Sequence, residues 1–345
     1  MNKIKVGISI GDINGIGMEV IIKTFKDNRM MDICTPIVYG SSKVSTFHRK
    51  ALGINDFSFN IIKNAKEANV KKPSIINCWS DDIEVAMGQS NADGGKYALM
   101  SLEAATEDLK NGLIDALVTA PINKDNIQSD EFNFPGHTEY LTEKFEGESL
   151  MLMVNDNIKI GVATNHIPLS KVANTLTSDT IFSKLKILNK ALIQDFCITS
   201  PRIAVLGLNP HAGDNGLLGK EEENVIIPAI DNAKSIGINT FGPYPADGFF
   251  GSGNYQKFDA ILAMYHDQGL IPFQSLSFGE GTNFTAGLDI IRTSPDHGVA
   301  YEITGQNKAE ESSFRHAVYA ACDIYKNRMF AAEINKNPLK PAKGK

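Results

Sequence analysis

Short runs of aliphatic and β-branched residues alternate with helical patterns from the start of the chain, and this alternation argues for an α/β fold. Residues 5–10 read as a strand, 18–25 as a helix and 36–39 as a second strand. Ala98, Leu102, Ala105 and Leu109 then fall at steps of four, three and four. They make one apolar helical stripe that stops near Gly112 and runs into a strand over 116–119. A second series begins near residue 150, with strands over 150–154 and 158–163, a helix marked by Ile181, Leu185, Leu188 and Leu192, and strands over 203–208 and 260–264. The last long helix is expected over 309–326. No fixed-period repeat and no low-complexity linker separates independent modules. Two α/β lobes joined about a cleft are therefore expected, with residues 1–130 and 290–330 in the first and 131–289 in the second, followed by a frayed basic tail over 331–345.

The 345 residues, 42% hydrophobic and 21% charged, suffice for a sizeable core. A formal net charge of −6, with no Lys/Arg run beside aromatic residues, argues against nucleic acid as a partner. An anionic small substrate must then be held by a few placed cations or helix N-termini. Cys34, Cys78, Cys197 and Cys322 lie far apart without a CxxC pair and read as free thiols of a reducing compartment. There is no apolar run of about eighteen residues, and the N-terminal stretch MNKIKVGISIGD lacks a signal-peptide pattern. A cytoplasmic protein with no membrane partner is expected.

Five polar segments follow predicted strands, where α/β folds place their ligand sites. They are PGHTEYL (135–141), TNHIPL (164–169), LNPHAGD (208–214), MYHDQGL (264–270) and GTNFTAGLDIIRTSPDHG (281–298). His166, His211 and His266 each follow a strand-like run, so three imidazoles can converge at strand ends despite their distance in sequence. Three nitrogen ligands with open positions are the pattern of a catalytic divalent metal site. Each histidine alone is more often a hydrogen-bonded loop or core residue, and spacing does not establish the site. Arg292 follows an apolar pair among hydroxyl residues, where its planar fork can grip a carboxylate or phosphate. A surface salt bridge accounts for it as well. Asn283 is a loop amide whose plain alternative is turn formation. Lys124 follows a strand and faces either the cleft or solvent. GDINGIG (11–17) joins strand to helix as a phosphate-cradling loop does, but its spacing is GxxxGxG rather than the dinucleotide fingerprint GxGxxG. A tight structural turn is the alternative.

PGHTE, TNHIPL, LNPHAGDNGLLGKEE, GPYPADGFF, YHDQGL and RTSPDHG stand in the order and near the spacing of the 4-hydroxythreonine-4-phosphate dehydrogenase family, which the chain resembles over nearly its whole length. The resemblance implies a two-lobed α/β/α architecture similar to isocitrate and isopropylmalate dehydrogenases, which bind a nicotinamide cofactor without the usual fingerprint. It implies that His166, His211 and His266 hold one divalent metal (zinc, magnesium or cobalt) at the subunit interface of a homodimer, with both chains contributing. It places substrate at His137, Thr138, Asn283 and Arg292. The stretch DHGVAYEITG (296–305), beginning with Asp296, His297 and Gly298, is similar to the adenosine-side loop of the isopropylmalate enzymes and implies NAD or NADP there. Asp247 in PADGFF and Asp267 beside His266 are candidates for proton handling or for orienting a ligand histidine, with loop or helix capping as the alternative.

The implied reaction is oxidation of 4-phosphooxy-L-threonine at its C3 hydroxyl. Loss of carbon dioxide then gives 3-amino-2-oxopropyl phosphate, a step of pyridoxal 5'-phosphate biosynthesis. One position departs from the family pattern: Gln274 stands eight residues after the YHD histidine, where the family usually has lysine. Three other readings stay open. They are a dehydrogenase of threonate or erythronate 4-phosphate, a hydrolase using a zinc-bound hydroxide, and a phosphate acyltransferase or non-catalytic binding protein on a similar fold.

Overall fold

The computed structural model describes residues 3–336. Among these, twelve strands form one sheet: β1 (Lys5–Ser9), β2 (Thr35–Gly40), β3 (Asn60–Ile62), β4 (Ser74–Asn77), β5 (Ala116–Thr119), β6 (Leu150–Val154), β7 (Lys159–Val162), β8 (Arg202–Leu206), β9 (Asn239–Tyr244), β10 (Ala260–Ala263), β11 (Thr282–Ala286) and β12 (Arg292–Pro295). Their order is β3-β4-β2-β1-β5-β12-β11-β6-β7-β10-β8-β9. The block from β3 to β12 is parallel throughout, and so is the block from β7 to β9. Three antiparallel pairings in the middle, β12 with β11, β11 with β6 and β6 with β7, set the two blocks running in opposite directions.

One face of this sheet carries an unbroken apolar core. Val6, Val38 and Val118 continue into Leu152, Phe284, Val205 and Leu262 under the helices Gly17–Lys26, Ser178–Gln194 and Ser312–Ile334. On the other face the core is split. Ile37, Tyr39 and Leu117 pack beneath the helix Ala92–Lys110, whereas Ile160, Ala204 and Ile261 pack beneath Ala246–Gly251 and His266–Ser277. Each buried aliphatic side chain contributes about 1.5–3 kcal/mol, enough to fix which face of a strand turns inward. Between the two smaller cores the face of β12, β11 and β6 is left without a covering helix, and the α/β/α sandwich opens there into a cavity.

The helix Ala92–Lys110 buries the stripe of Ala98, Leu102, Ala105 and Leu109, and its first turn is capped by Asn91, whose Oδ1 accepts from the Gly94 amide at 2.8 Å. The last helix is displaced from its expected span of 309–326 to Ser312–Ile334. It starts later because the Ala309 backbone is already engaged, its N–H by the buried Glu19 carboxylate and its C=O by Lys23. It runs further because Arg328 pairs with Asp195 at 2.7 Å and donates to the carbonyls of Asp289 and Ile290. Residues 331–334 are therefore helical rather than frayed, and the rest of the expected tail, from 337, lies outside the described residues. All four cysteines are free. No helix among the described residues is long and apolar enough to cross a membrane.

Candidate active site

Strand register builds the cavity floor. Asn283 of β11 stands opposite Met153 of β6 and Ser294 of β12, so the three share a face. Thr285, opposite Met151, and Arg292, two residues before Ser294, form the next row on that face. Arg292 is only 2% exposed. Its Nε and Nη2 donate to Thr119 Oγ1 at 3.1 and 2.7 Å, and its Nη1 donates to Thr285 Oγ1 at 3.2 Å. Its hydrogen-bond partners are hydroxyls with no carboxylate among them, and the remaining N–H groups of the fork stay free. Burial pushes its pKa down to about 9. A buried cation offset only by the Glu139 charge, with no carboxylate bonded to it, is costly, and an anion entering the cavity relieves that cost.

His137 opens the helix His137–Lys144 beside this floor. Its Nε2 is buried without a partner. Burial first, then the charges of Arg292 and Lys124, holds its pKa well below the usual histidine value, so the ring is neutral at pH 7. Thr138 is also buried, with Oγ1 3.4 Å from Thr285 Oγ1, and Asn283 keeps a buried Oδ1 with no donor. The cavity they surround has a volume of about 280 Å³, suited to a small polar molecule.

The histidine rim rises from the ends of neighbouring strands. The Thr164 hydroxyl and amide both donate to the Met264 carbonyl, at 2.8 and 3.3 Å, which aligns the end of β7 with the end of β10. His166 and His266 follow, with ring centroids 5.6 Å apart. Each turns Nδ1 to a carboxylate, His166 to Glu139 Oε1 at 3.1 Å and His266 to Asp267 Oδ1 at 2.7 Å. Burial raises the Glu139 pKa, but the hydrogen bond from His166, its own backbone and the nearby Lys124 charge outweigh that and hold the carboxyl below its usual range. An ionised carboxylate on Nδ1 leaves Nε2 as the coordinating nitrogen, the arrangement common to metal-ligating histidines. Two imidazoles able to ligate an ion are thus oriented side by side within one chain. No third His, Cys, Asp or Glu completes a metal-holding group among the described residues.

His211 does not join them. Its strand, β8, lies beside β10, and Gln268 ties the two strand ends together by accepting from the Met264 amide and donating to the Gly207 carbonyl, both at 2.7 Å. The following turn Pro210–Gly213 is left-handed at His211, with φ 53°, and the side chain is exposed outside the cavity. Asp247, on the helix Ala246–Gly251 that packs against this turn, is likewise exposed and outside. Asp267 orients His266 from the cavity edge.

Asp296, His297 and Gly298 line the same cavity as the substrate candidates. Asp296 Oδ1 accepts from Ser313 Oγ at 2.7 Å, while its Oδ2 and the Nε2 of His297 are buried without partners. Lys124 and Gln274 also face the cavity. The loop at 11–17 follows its structural reading. Gly11, at φ 66°, presses against the Pro121 carbonyl, which a Cβ would approach to 2.1 Å. The buried Asp12 carboxylate accepts from the Asn14 amide, Asn126 Nδ2 and the Tyr301 hydroxyl at 2.8, 2.8 and 2.7 Å. It clasps the Lys124 segment to the segment after Gly298.

Glu139, Thr119 and Thr285 are contributors to the site that were not singled out in the sequence. Glu139 stands two residues after His137 in the PGHTE segment. The two threonines carry no signal beyond alternation within short strands.

A family model described as pyridoxal phosphate biosynthetic protein PdxA matches residues 32–321. A 4-hydroxythreonine-4-phosphate dehydrogenase from Bacteroides thetaiotaomicron is 52% identical over 98% of this chain and 93% of its own length. A relative from Oceanobacillus iheyensis bearing the name of a D-threonate 4-phosphate dehydrogenase is 36% identical over 92% of this chain and 97% of its own. Among solved structures, 4-hydroxythreonine-4-phosphate dehydrogenase from Klebsiella pneumoniae aligns with a TM-score of 0.78 at 32% identity, covering 94% of this chain and 98% of that one. The fold likeness extends to isocitrate dehydrogenase from Methylococcus capsulatus, with a TM-score of 0.50 at 10% identity over 96% and 89% of the two chains.

Proposed function

Since the chain belongs to the PdxA family of pyridoxal phosphate biosynthesis, we infer that its cavity carries out the oxidation of 4-phosphooxy-L-threonine at C3, with decarboxylation to 3-amino-2-oxopropyl phosphate. The chain is a dehydrogenase. The observation that carries the substrate class is the buried, carboxylate-free guanidinium of Arg292 beside two orphaned polar atoms, His137 Nε2 and Asn283 Oδ1. Such a floor is short of an anion and of hydrogen-bonding hydroxyl or carboxylate groups, which the substrate supplies.

In this reading Arg292 and His137 seat the phosphate and carboxylate ends, and Thr138 and Asn283 complete the hydrogen-bonding shell and orient C3. Nε2 of His166 and of His266, with His211 from a second copy of the chain, would hold a divalent ion (zinc, magnesium or cobalt), which supplies Lewis-acid chemistry when bound. NAD or NADP, received near Asp296, His297 and Gly298, supplies the hydride acceptor. Glu139 and Asp267 keep the two ring nitrogens turned correctly. Asp247, exposed beside the His211 turn, reaches a cavity only in a second copy, where it takes up a proton. The enzyme works as a cytoplasmic homodimer.

Gln274 favours a second reading within the same class, in which the substrate is threonate or erythronate 4-phosphate, because a neutral amide faces the cavity where the family carries a cation. Reduction of NAD or NADP by the metal-loaded protein with each of the three phosphorylated acids separates the two. Turnover on 4-phosphooxy-L-threonine, lost on chelation, is expected. Turnover confined to the other acids would transfer the assignment to them, and absence of cofactor reduction with all three would remove it.

A further inference from the structure

Six consecutive residues in the turn after β8 have positive φ: His211 at 53°, Ala212 at 51°, Gly213 at 81°, Asp214 at 45°, Asn215 at 55° and Gly216 at 85°. Four of them carry a Cβ, and a left-handed run of ordinary residues relaxes unless its surroundings hold it. Glu222, 2% exposed and the first residue of the π-helical turn Glu222–Ile226, braces the residues from which this run departs. Its Oε1 accepts from the amides of Leu208 and Asn209, both at 2.7 Å, and its Oε2 accepts from Asn209 Nδ2 at 2.9 Å. Gly207 and Gly213 leave room for this carboxylate, since a Cβ on either would lie 3.2 or 2.7 Å from its oxygens. Glu222 is thus buried inside the turn, with backbone and amide donors at the foot of the left-handed run. π-Turns of this kind are frequent at functional sites.

We propose that Glu222 is a positioning residue that holds the left-handed turn in the one shape presenting His211 to the cavity of a second protomer. The proposal rests on His211 being a metal ligand. It makes the exposed histidine a preset group, whose ordering is completed in the folded monomer before the dimer or the ion is present.

The test is cobalt(II) binding to the metal-free dimer, followed by calorimetry and by the visible absorption of the bound ion, in wild type, Glu222→Gln, His211→Ala and the double variant, with thermal melts alongside. Glu222→Gln is expected to weaken cobalt binding about tenfold, in the range for residues that orient a ligand. His211→Ala is expected to weaken it more, and the double variant no further than His211→Ala alone, because Glu222 acts through that ring. Asn209→Ala removes one strut of the same clasp and shifts affinity in the same direction by a smaller factor, which decides the matter if Glu222→Gln does not fold. Additive losses in the double variant, or unchanged cobalt affinity in Glu222→Gln and Asn209→Ala, overturn the proposal. Unchanged affinity in His211→Ala instead removes the ligand reading beneath it.

Discussion

Arg292 lies in mid-sheet, buried among hydroxyls, on a strand whose register with its neighbours also places Asn283 and Thr285. His211 stands in an exposed left-handed turn, outside the cavity, just past the Leu208 and Asn209 amides that a buried carboxylate holds. The first group is placed by strand pairing and burial within a single chain. The second is placed by turn geometry and points to a surface. The floor of the cavity is therefore built within one copy of the protein, whereas its rim holds two histidines with no third such donor beside them among the described residues, and the proposed metal site takes its third from a second copy.

This contrast can be broken most sharply at the floor. Arg292→Ala should lower kcat/KM for the phosphorylated acid by about 10²–10³-fold, the cost of truncating one partner of a buried charge pair, in a cofactor-reduction assay. Arg292→Lys should recover little of it, because an ammonium cannot reproduce the fork. Equal activity of both variants with wild type would detach the floor from substrate. The rim is tested by mixing two inactive homodimers, Arg292→Ala and His211→Ala. If each site takes its floor from one chain and His211 from the other, random re-pairing restores one intact site per mixed dimer, or about a quarter of wild-type activity. No recovery after exchange, shown by tagged chains, would place both groups in the same copy.

The pH dependence sharpens the same difference. Burial works against the Arg292 charge, yet a guanidinium keeps its proton across the working range, so loss of that charge should cause no fall in kcat/KM between about pH 7 and 9. His137, held neutral, should add no inflection between about pH 6 and 8. The smallest effect is expected at the edge: Gln274→Lys should lower KM for the phosphorylated acid by about tenfold, the worth of one charge-assisted contact. A rise in KM would mean that Gln274 faces a part of the substrate other than phosphate.

The parts of this plan that could be read from sequence are those written by hydrophobic contrast. The apolar runs of β1, β5, β6, β7, β8 and β10 and the stripe of the helix Ala92–Lys110 stand where periodicity puts them, with ends shifted by a residue or two. The middle of the sheet was not readable in this way. β11 (TNFTA) and β12 (RTSP) turn polar side chains into the cavity, so they lack the run of aliphatic residues that marks a buried strand. Arg292 was singled out by its residue type, but its hydroxyl partners on two other strands were not, because register is a long-range property. For the histidines, sequence located three strand ends that prove to be adjacent. It could not supply the handedness of the turn that leaves His211 outside, since left-handed φ at His, Ala, Asp and Asn runs against local preference.

The unbroken core on one face of the sheet has a mechanical consequence. The helices Ser178–Gln194 and Ser312–Ile334 pack across the same three middle strands that floor the cavity, so the two blocks share a spine. Any widening of the gap between Arg292 and the histidine rim must be taken up as twist in a hydrogen-bonded ladder backed by close-packed side chains. Such a ladder resists stretching and yields slightly to torsion. The cavity therefore behaves less like a jaw than like a gauge, in which the spacing between anion seat and rim is a property of the sheet itself.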